Sequence, residues 1–201
     1  MYEWRKMTHL QRTEALRIRK EKHFLWHNPP HIVGDTYFYH LSAACYEHSP
    51  VIGHSAERLA AFSEFLINGL TNLSIEIFAW CVLPNHYHLL LQVDNLLMLI
   101  KEIGKLHSRT SYQWNGDENC RGRQVWFNCS DRYIRGERHF WVTMNYIHHN
   151  PVHHNYVEKW QDWPFCSAND FINSVGEKQA AIIWNQYPIL EYGKGWDDPK
   201  I

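Results

Sequence analysis

The spacing of hydrophobic and polar positions in the first half of the chain changes between strand-like and helix-like patterns. Residues 36–48 (TYFYHLSAACYEH) are rich in aromatic and β-compatible side chains and predict a first strand. Apolar residues recur at helical spacing over 55–70, which predicts a helix. Residues 74–83 and 86–93 predict two further strands. The Pro-Asn pair between them favours an antiparallel hairpin.

The second half of the chain predicts a longer helix, a strand and a third helix. Apolar residues lie on one side of a helix over 96–114, and the polar stretch 115–123 predicts a loop. Residues 124–135 predict a fourth strand that runs into a turn. Residues 136–157 predict a helix that is interrupted or bent at Pro151, because proline cannot donate a backbone hydrogen bond.

The order of these elements is strand, helix, strand, strand, helix, strand, followed by one more helix. This order predicts an α+β, ferredoxin-like fold: an antiparallel sheet with helices on one face and an appended helix. We expect a basic helical extension over 1–30, the main domain over 31–175 and a C-terminal tail over 176–201.

Composition narrows the class of protein. A chain of 201 residues with 45% hydrophobic residues can bury the core of one domain. The sequence has neither an apolar run of the roughly 18 residues that a membrane span needs nor a signal peptide at its start. Its five cysteines include no CxxC pair, which disfavours a disulfide framework or a thiolate zinc site. We therefore expect a cytoplasmic protein that has no contact with a membrane.

The net charge of −1 conceals two basic segments. Residues 1–23 hold seven Lys and Arg against three acids, and residues 101–138 hold eight against five. Such segregation is consistent with a patch that binds nucleic acid, or with solvated helix faces. Three cations spaced four apart form a stripe on the second helix, and two more follow in the loop. The residues predicted to contact a DNA backbone are Lys101, Lys105, Arg109, Arg121 and Arg123.

Two histidines in the third strand form a candidate metal site. His86 and His88 are two residues apart, so their imidazoles point to the same face of the sheet, while Tyr87 points to the other face. We expect this face to be open. Two adjacent imidazoles can chelate a metal ion, whereas a single histidine there would indicate a structural role.

The run NYIHHNPVHHNY (145–156) supplies a second set of candidate residues. On a helix, Tyr146, His149, Asn150 and His153 share one face. A divalent cation held by the two strand histidines and the Asn150 oxygen could polarise a phosphodiester beside Tyr146. Taken alone, the run is better explained by an ordinary core tyrosine and an asparagine at a helix end before proline. The histidine pair favours the catalytic interpretation.

These motifs resemble a known family. PNHYHLLL resembles the His-hydrophobe-His motif of the single-tyrosine transposases of bacterial insertion sequences. YIHHNPV, followed by DWPFCS, resembles the REP-associated tyrosine transposase branch. The segment VWFNCSDRYIR, which lies between PNHYHLLL and YIHHNPV, is also similar to that branch. The resemblance covers roughly residues 36–172.

The resemblance implies a ferredoxin-like nuclease that cuts single-stranded DNA at hairpin-associated sites. Tyr146 would be the nucleophile, leaving a 5′-phosphotyrosine and a free 3′-OH. His86, His88 and Asn150 would bind Mg²⁺ or Mn²⁺, and imidazole ligands favour Mn²⁺. We expect a monomer or a homodimer. Family members often carry Lys or Arg after NPV, where this chain has histidine.

Two other functions are compatible with the same motifs. One is a domesticated module that binds DNA hairpins but no longer nicks them. The other is an unrelated metal hydrolase that activates water, which would need a carboxylate base that neither motif contains.

Overall fold

A computed structural model describes residues 38–196, together with Thr8 and Leu10. Most of the predicted N-terminal extension therefore lies outside the described residues. Within the described part, no helix is long and apolar enough to cross a membrane.

The described part contains a four-stranded sheet and a set of helices in the predicted order. The strands are β1 (Phe38–Ala44), β2 (Glu76–Val82), β3 (His86–Gln92) and β4 (Ser130–Tyr133). The α-helices are α1 (Ala56–Thr71), α2 (Leu96–Asp117), α3 (Glu137–His153), α4 (Ala168–Val175) and α5 (Glu177–Gln186). Short 3₁₀ turns occupy Tyr46–His48, Ile52–His54 and Trp160–Asp162.

The strand order in the sheet is β2-β3-β1-β4, and all neighbouring strands are antiparallel. β3 inserts between β1 and β2, which is the split β-α-β arrangement. The predicted α+β, ferredoxin-like class and the β2–β3 hairpin are confirmed.

One face of the sheet packs against α1 and α2. Tyr87, Leu89 and Leu91 of β3 point to this face, as the alternation along the strand predicts, and they are fully buried. Ser55 caps α1 by accepting a hydrogen bond from the backbone N–H of Arg58 at 3.2 Å. This layer forms the larger hydrophobic core of the described residues.

The opposite face of the sheet is covered, so the expectation of an open face is wrong. α3 packs across β2 and β3 there, and a second core forms from Leu90, Met144 and Ile147 with their neighbours. The burial has a physical cause: α3 carries apolar residues on the side that faces the sheet, and their burial stabilises the docked helix.

The second half of the chain also differs from the prediction in detail. β4 spans only four residues, since 124–129 follows β1 irregularly, with Trp126 in an isolated bridge to Cys45. α3 continues through Pro151 and ends at His153, within one turn of the proline. The segment predicted as a tail contains α5, and its following residues, 187–196, fold back over α3.

Candidate active site

β3 and α3 bring the predicted site residues together on the covered face of the sheet. His86 and His88 point to the same side of β3, with ring centroids 5.0 Å apart, and each is only 1% exposed. The strand's alternation of side chains causes this arrangement, because residues two apart share a face.

α3 places the other two predicted residues one turn apart against the histidines. Oδ1 of Asn150 lies 3.1 Å from Nε2 of His86. The Tyr146 ring lies 5.3 Å from the His88 ring, centroid to centroid. Both residues are buried, because positions four apart on a helix share the face that docks on the sheet.

Asn85, in the turn before β3, fixes the protonation of His86. The Asn85 amide donates from Nδ2 to the backbone carbonyl of His48 at 3.1 Å, so its Oδ1 is the atom that faces His86. That oxygen lies 2.7 Å from Nδ1 of His86 and accepts its proton. In the neutral imidazole, Nε2 then carries a lone pair directed at Asn150.

This arrangement fits a divalent cation. A lone pair on His86 Nε2 faces Oδ1 of Asn150, another acceptor, at 3.1 Å. Two ligands at right angles on an octahedral ion, each about 2.0–2.1 Å away, would be about 3 Å apart. Nδ2 of Asn150 is buried and has no hydrogen-bond partner among the described residues, whereas its Oδ1 faces His86. The amide oxygen suits Mg²⁺ or Mn²⁺, and the imidazoles favour a transition metal, so of these two ions the set fits Mn²⁺ better.

The candidate metal ligands are side chains of different types. In the part of the chain from 38 to 196, no group of three or more His, Cys, Asp and Glu residues could hold a metal ion. The candidate ligands are two imidazoles, from His86 and His88, and one amide oxygen, from Asn150.

Tyr146 lies beneath the C-terminal segment. It is 4% exposed, and its ring packs edge-on against Tyr192 and Trp196, at centroid distances of 5.5 and 5.8 Å. Gly193 has φ of +81°, and a Cβ added there would collide with the Tyr146 ring. A glycine at this position allows the segment to cross directly over the tyrosine.

Several residues of the site were not predicted from the sequence. His40 of β1 lies beside His88, with His40 Nε2 3.1 Å from His88 Nδ1. Arg132 of β4 pairs with His40 in the sheet and lies over the Trp196 ring at 3.6 Å. The sheet order of the predicted fold could have placed His40 next to β3, but no pattern in the tail indicated Tyr192 or Trp196.

The predicted DNA-contacting cations lie apart from this site. Lys101, Lys105 and Arg109 are exposed on α2, which packs on the other face of the sheet. Lys105 pairs with Glu102 at 2.7 Å, and the Arg109 guanidinium lies 5.3 Å from the Phe65 ring centroid.

The two loop arginines have intramolecular partners. The Arg121 guanidinium lies 4.1 Å from the Tyr112 ring centroid, and Arg123 pairs with Glu118 at 2.7 Å. The structure therefore separates these five cations from His86, His88 and Tyr146.

Comparison with known proteins identifies the family. Residues 35–150 match the family model for IS200-like transposases, a span that ends at Asn150 and includes His86, His88 and Tyr146. The chain belongs to the IS200-like transposase family. Two relatives of this chain also confirm the resemblance to the REP-associated branch of the family.

Two curated relatives carry the name REP-associated tyrosine transposase. The protein from Haemophilus influenzae is 32% identical over 109 residues, 46% of this chain and 58% of its own length. The protein from Escherichia coli K12 is 31% identical over 113 residues, 54% of this chain and 62% of its own length. The chain therefore spans about three fifths of the length of these relatives.

A solved structure shares the fold of this chain. The structure of a REP-associated tyrosine transposase bound to a REP hairpin covers 70% of this chain and 81% of its own, with a TM-score of 0.54 and 20% identity.

Proposed function

We propose that this transposase is a metal-dependent endonuclease and strand transferase that acts on single-stranded DNA at hairpin-associated sites through Tyr146. The observation that carries the proposal is the convergence of β3 and α3. One turn of α3 brings Tyr146 to His88 and Asn150 to His86. A nucleophile and a set of cation ligands thus lie side by side on two rigid elements.

The reaction we propose is transfer of a phosphodiester to tyrosine. Tyr146 loses its phenolic proton, and its oxygen forms a bond to the phosphorus. The bond between phosphorus and the 3′ oxygen breaks, and that oxygen takes up a proton to become a 3′-OH. The product is a 5′-phosphotyrosine, which keeps the phosphodiester bond for a later strand-joining step without a nucleotide cofactor.

The side chains of the site supply position and charge. A bound Mn²⁺ or Mg²⁺ would stabilise the negative charge that develops on the phosphate oxygens. His86, His88 and Asn150 would hold that ion, and in neutral His86 the Asn85 contact places the proton on Nδ1, which leaves Nε2 as the ligand atom. Packing of Tyr146 against His88 fixes the ring beside the ligands.

We extend the proposal to a DNA hairpin as substrate. The relatives are named for REP elements, and the solved protein with the same fold is bound to a REP hairpin. Arg132 adds a cation on the face of the sheet that carries the histidines, since it pairs with His40. A guanidinium there suits the negative charge of a DNA backbone.

One observation favours the competing function, a hairpin-binding module without nicking activity. Tyr146 is 4% exposed beneath residues 192–196. A phosphate can reach the tyrosine only if this segment moves away. In a binding module the segment would remain in place.

The products of one cleavage reaction distinguish these functions. We would incubate the protein with Mn²⁺ and single-stranded hairpins from the DNA that flanks its gene. The proposal predicts a released fragment whose 3′-OH a DNA polymerase can extend, and no cleavage with a chelator present. A binding module would retard the hairpin without cutting it. A metal hydrolase would release both fragments free of protein.

A further inference from the structure

A buried chain of hydrogen bonds connects α3 to His88 through residues that the proposed function does not use. Thr143 lies on α3, Tyr192 in the C-terminal segment and His40 on β1. Thr143, His40 and His88 are each at most 3% exposed. Buried polar groups are costly unless each proton has an acceptor, so the direction of every bond can be worked out.

The Thr143 hydroxyl determines which group donates in each of the following hydrogen bonds. Its hydroxyl donates to the backbone carbonyl of His139 at 2.7 Å, and a hydroxyl has only one proton. Oγ1 of Thr143 lies 2.6 Å from the Tyr192 hydroxyl and must therefore accept a proton from it. The Tyr192 oxygen is left with lone pairs only.

The next two hydrogen bonds determine which ring nitrogen of His88 carries the proton. The Tyr192 oxygen lies 3.4 Å from Nδ1 of His40 and accepts from it. A neutral imidazole has one N–H, so Nε2 of His40 is an acceptor. It lies 3.1 Å from Nδ1 of His88, which must then carry the proton.

We propose that Thr143, Tyr192 and His40 are positioning residues that hold His88 in its Nδ1–H tautomer, so that Nε2 of His88 is the atom that binds the metal. The ligand role of His88 rests on the proposed function, whereas the tautomer follows from the hydrogen bonds alone. Groups that orient a metal-binding imidazole through its other nitrogen typically change metal affinity 10–100-fold.

The neighbouring histidine reaches the same state by a separate route. Asn85 fixes His86 as the Nδ1–H tautomer through a side chain in the preceding turn. Two independent sets of hydrogen bonds thus give both histidines an unprotonated Nε2. Such agreement is what a site that binds one cation through two imidazoles requires.

The tautomer can be measured directly in the metal-free protein. Long-range ¹H–¹⁵N spectra of histidine-labelled protein separate protonated from unprotonated ring nitrogens, and His88→Gln assigns the His88 signals. We expect a protonated Nδ1 and an unprotonated Nε2 in the wild type. In Tyr192→Phe, His40 loses its acceptor, so we expect His88 to shift toward the Nε2–H form.

Tyr187→Phe is the matched control for Tyr192→Phe. Tyr187 lies five positions earlier in the same segment and is also partly buried, but its hydroxyl contacts Gln186 and no histidine. Mn²⁺ titration should give about tenfold weaker binding for Tyr192→Phe and unchanged binding for Tyr187→Phe. His40→Phe, which removes both ring nitrogens, should weaken Mn²⁺ binding at least as much.

The two proposals fail in different ways. An Nε2–H tautomer of His88 in the wild type, or an unchanged tautomer in both Tyr192→Phe and His40→Phe, would overturn the positioning role. A wild-type protein with the Nδ1–H tautomer that binds no Mn²⁺ would support that role and contradict the proposed function instead.

Discussion

Nε2 of His86 lies 3.1 Å from Oδ1 of Asn150, so the start of β3 and the last turns of α3 meet at this pair of atoms. The Asn85 contact gives His86 its proton at Nδ1, on the other side of the ring. Two lone pairs at this distance repel each other unless a proton or a metal cation lies between them. The contact therefore gives the sharpest tests of the metal site.

Asn150→Asp should strengthen the response to metal. A buried carboxylate makes the metal-free variant less stable, but it attracts a divalent cation more strongly than an amide does. We expect a lower melting temperature without metal and a larger rise with Mn²⁺ than in the wild type, since a ligand at 100 times its dissociation constant adds about 2.7 kcal/mol.

Asn145→Asp provides the control for this substitution. Asn145 is on the same helix, but its amide donates to the carbonyls of Trp184 and Tyr187, away from the histidines. Its melting temperature should not respond to Mn²⁺ more than that of the wild type. An Asn150→Asp variant that Mn²⁺ fails to stabilise would indicate that Asn150 only bonds His86.

Gly193→Ala should loosen the segment that covers Tyr146. The added methyl group would meet the tyrosine ring, and overpacking of this kind costs about 1–3 kcal/mol. Gly195 has a similar φ of +75° but open space around it, so Gly195→Ala measures the backbone strain alone. Urea unfolding should show a larger loss for Gly193→Ala, and equal losses would contradict the contact with Tyr146.

Acid should destabilise the fold partly through His107. This side chain stacks on Trp126 at 4.1 Å and shares a hydrogen bond of 3.0 Å with the Tyr87 hydroxyl, and burial lowers its pKa from 6.5 to about 3. Between these values the unfolded chain binds a proton that the folded protein does not. The stabilisation is therefore complete above pH 6.5 and is lost as the pH falls toward 3, by up to about 1.4 kcal/mol per pH unit.

His107→Gln removes the titrating group while keeping an acceptor for Tyr87. The free energy of unfolding, measured from pH 7 to pH 4, should fall less steeply in this variant than in the wild type. Parallel curves would show that His107 does not contribute to the acid sensitivity.

The path of the DNA can be tested by comparing cations on the two faces of the sheet. If the DNA backbone follows α2, as the sequence predicts, Lys101→Ala should lower the salt dependence of hairpin binding by about one counterion. If it follows the histidine face, Arg132→Ala should do so instead. Arg123 is a poor probe, because its pairing with Glu118 makes a loss of stability the expected result.

The sequence predicted the parts of the site that depend on local periodicity. Alternation along β3 placed His86 and His88 on one face of the strand, and helical spacing placed Tyr146 and Asn150 on one face of α3. The burial of these residues was not predictable, because it depends on how α3 docks across the sheet. The same is true of Tyr192, which reaches His40 from 152 positions away along the chain.

The central claim is that Tyr146 becomes covalently attached to DNA, and the direct measurement is the fate of a label at the 3′ end of a hairpin strand. With Mn²⁺, the label should stay with the wild-type protein under denaturing conditions and map to the peptide that contains Tyr146. Tyr146→Phe should bind the hairpin but retain no label, whereas Tyr156→Phe, a change at an exposed tyrosine ten positions later, should retain it. A labelled adduct in Tyr146→Phe, or none in the wild type with a hairpin that it binds, would contradict the account.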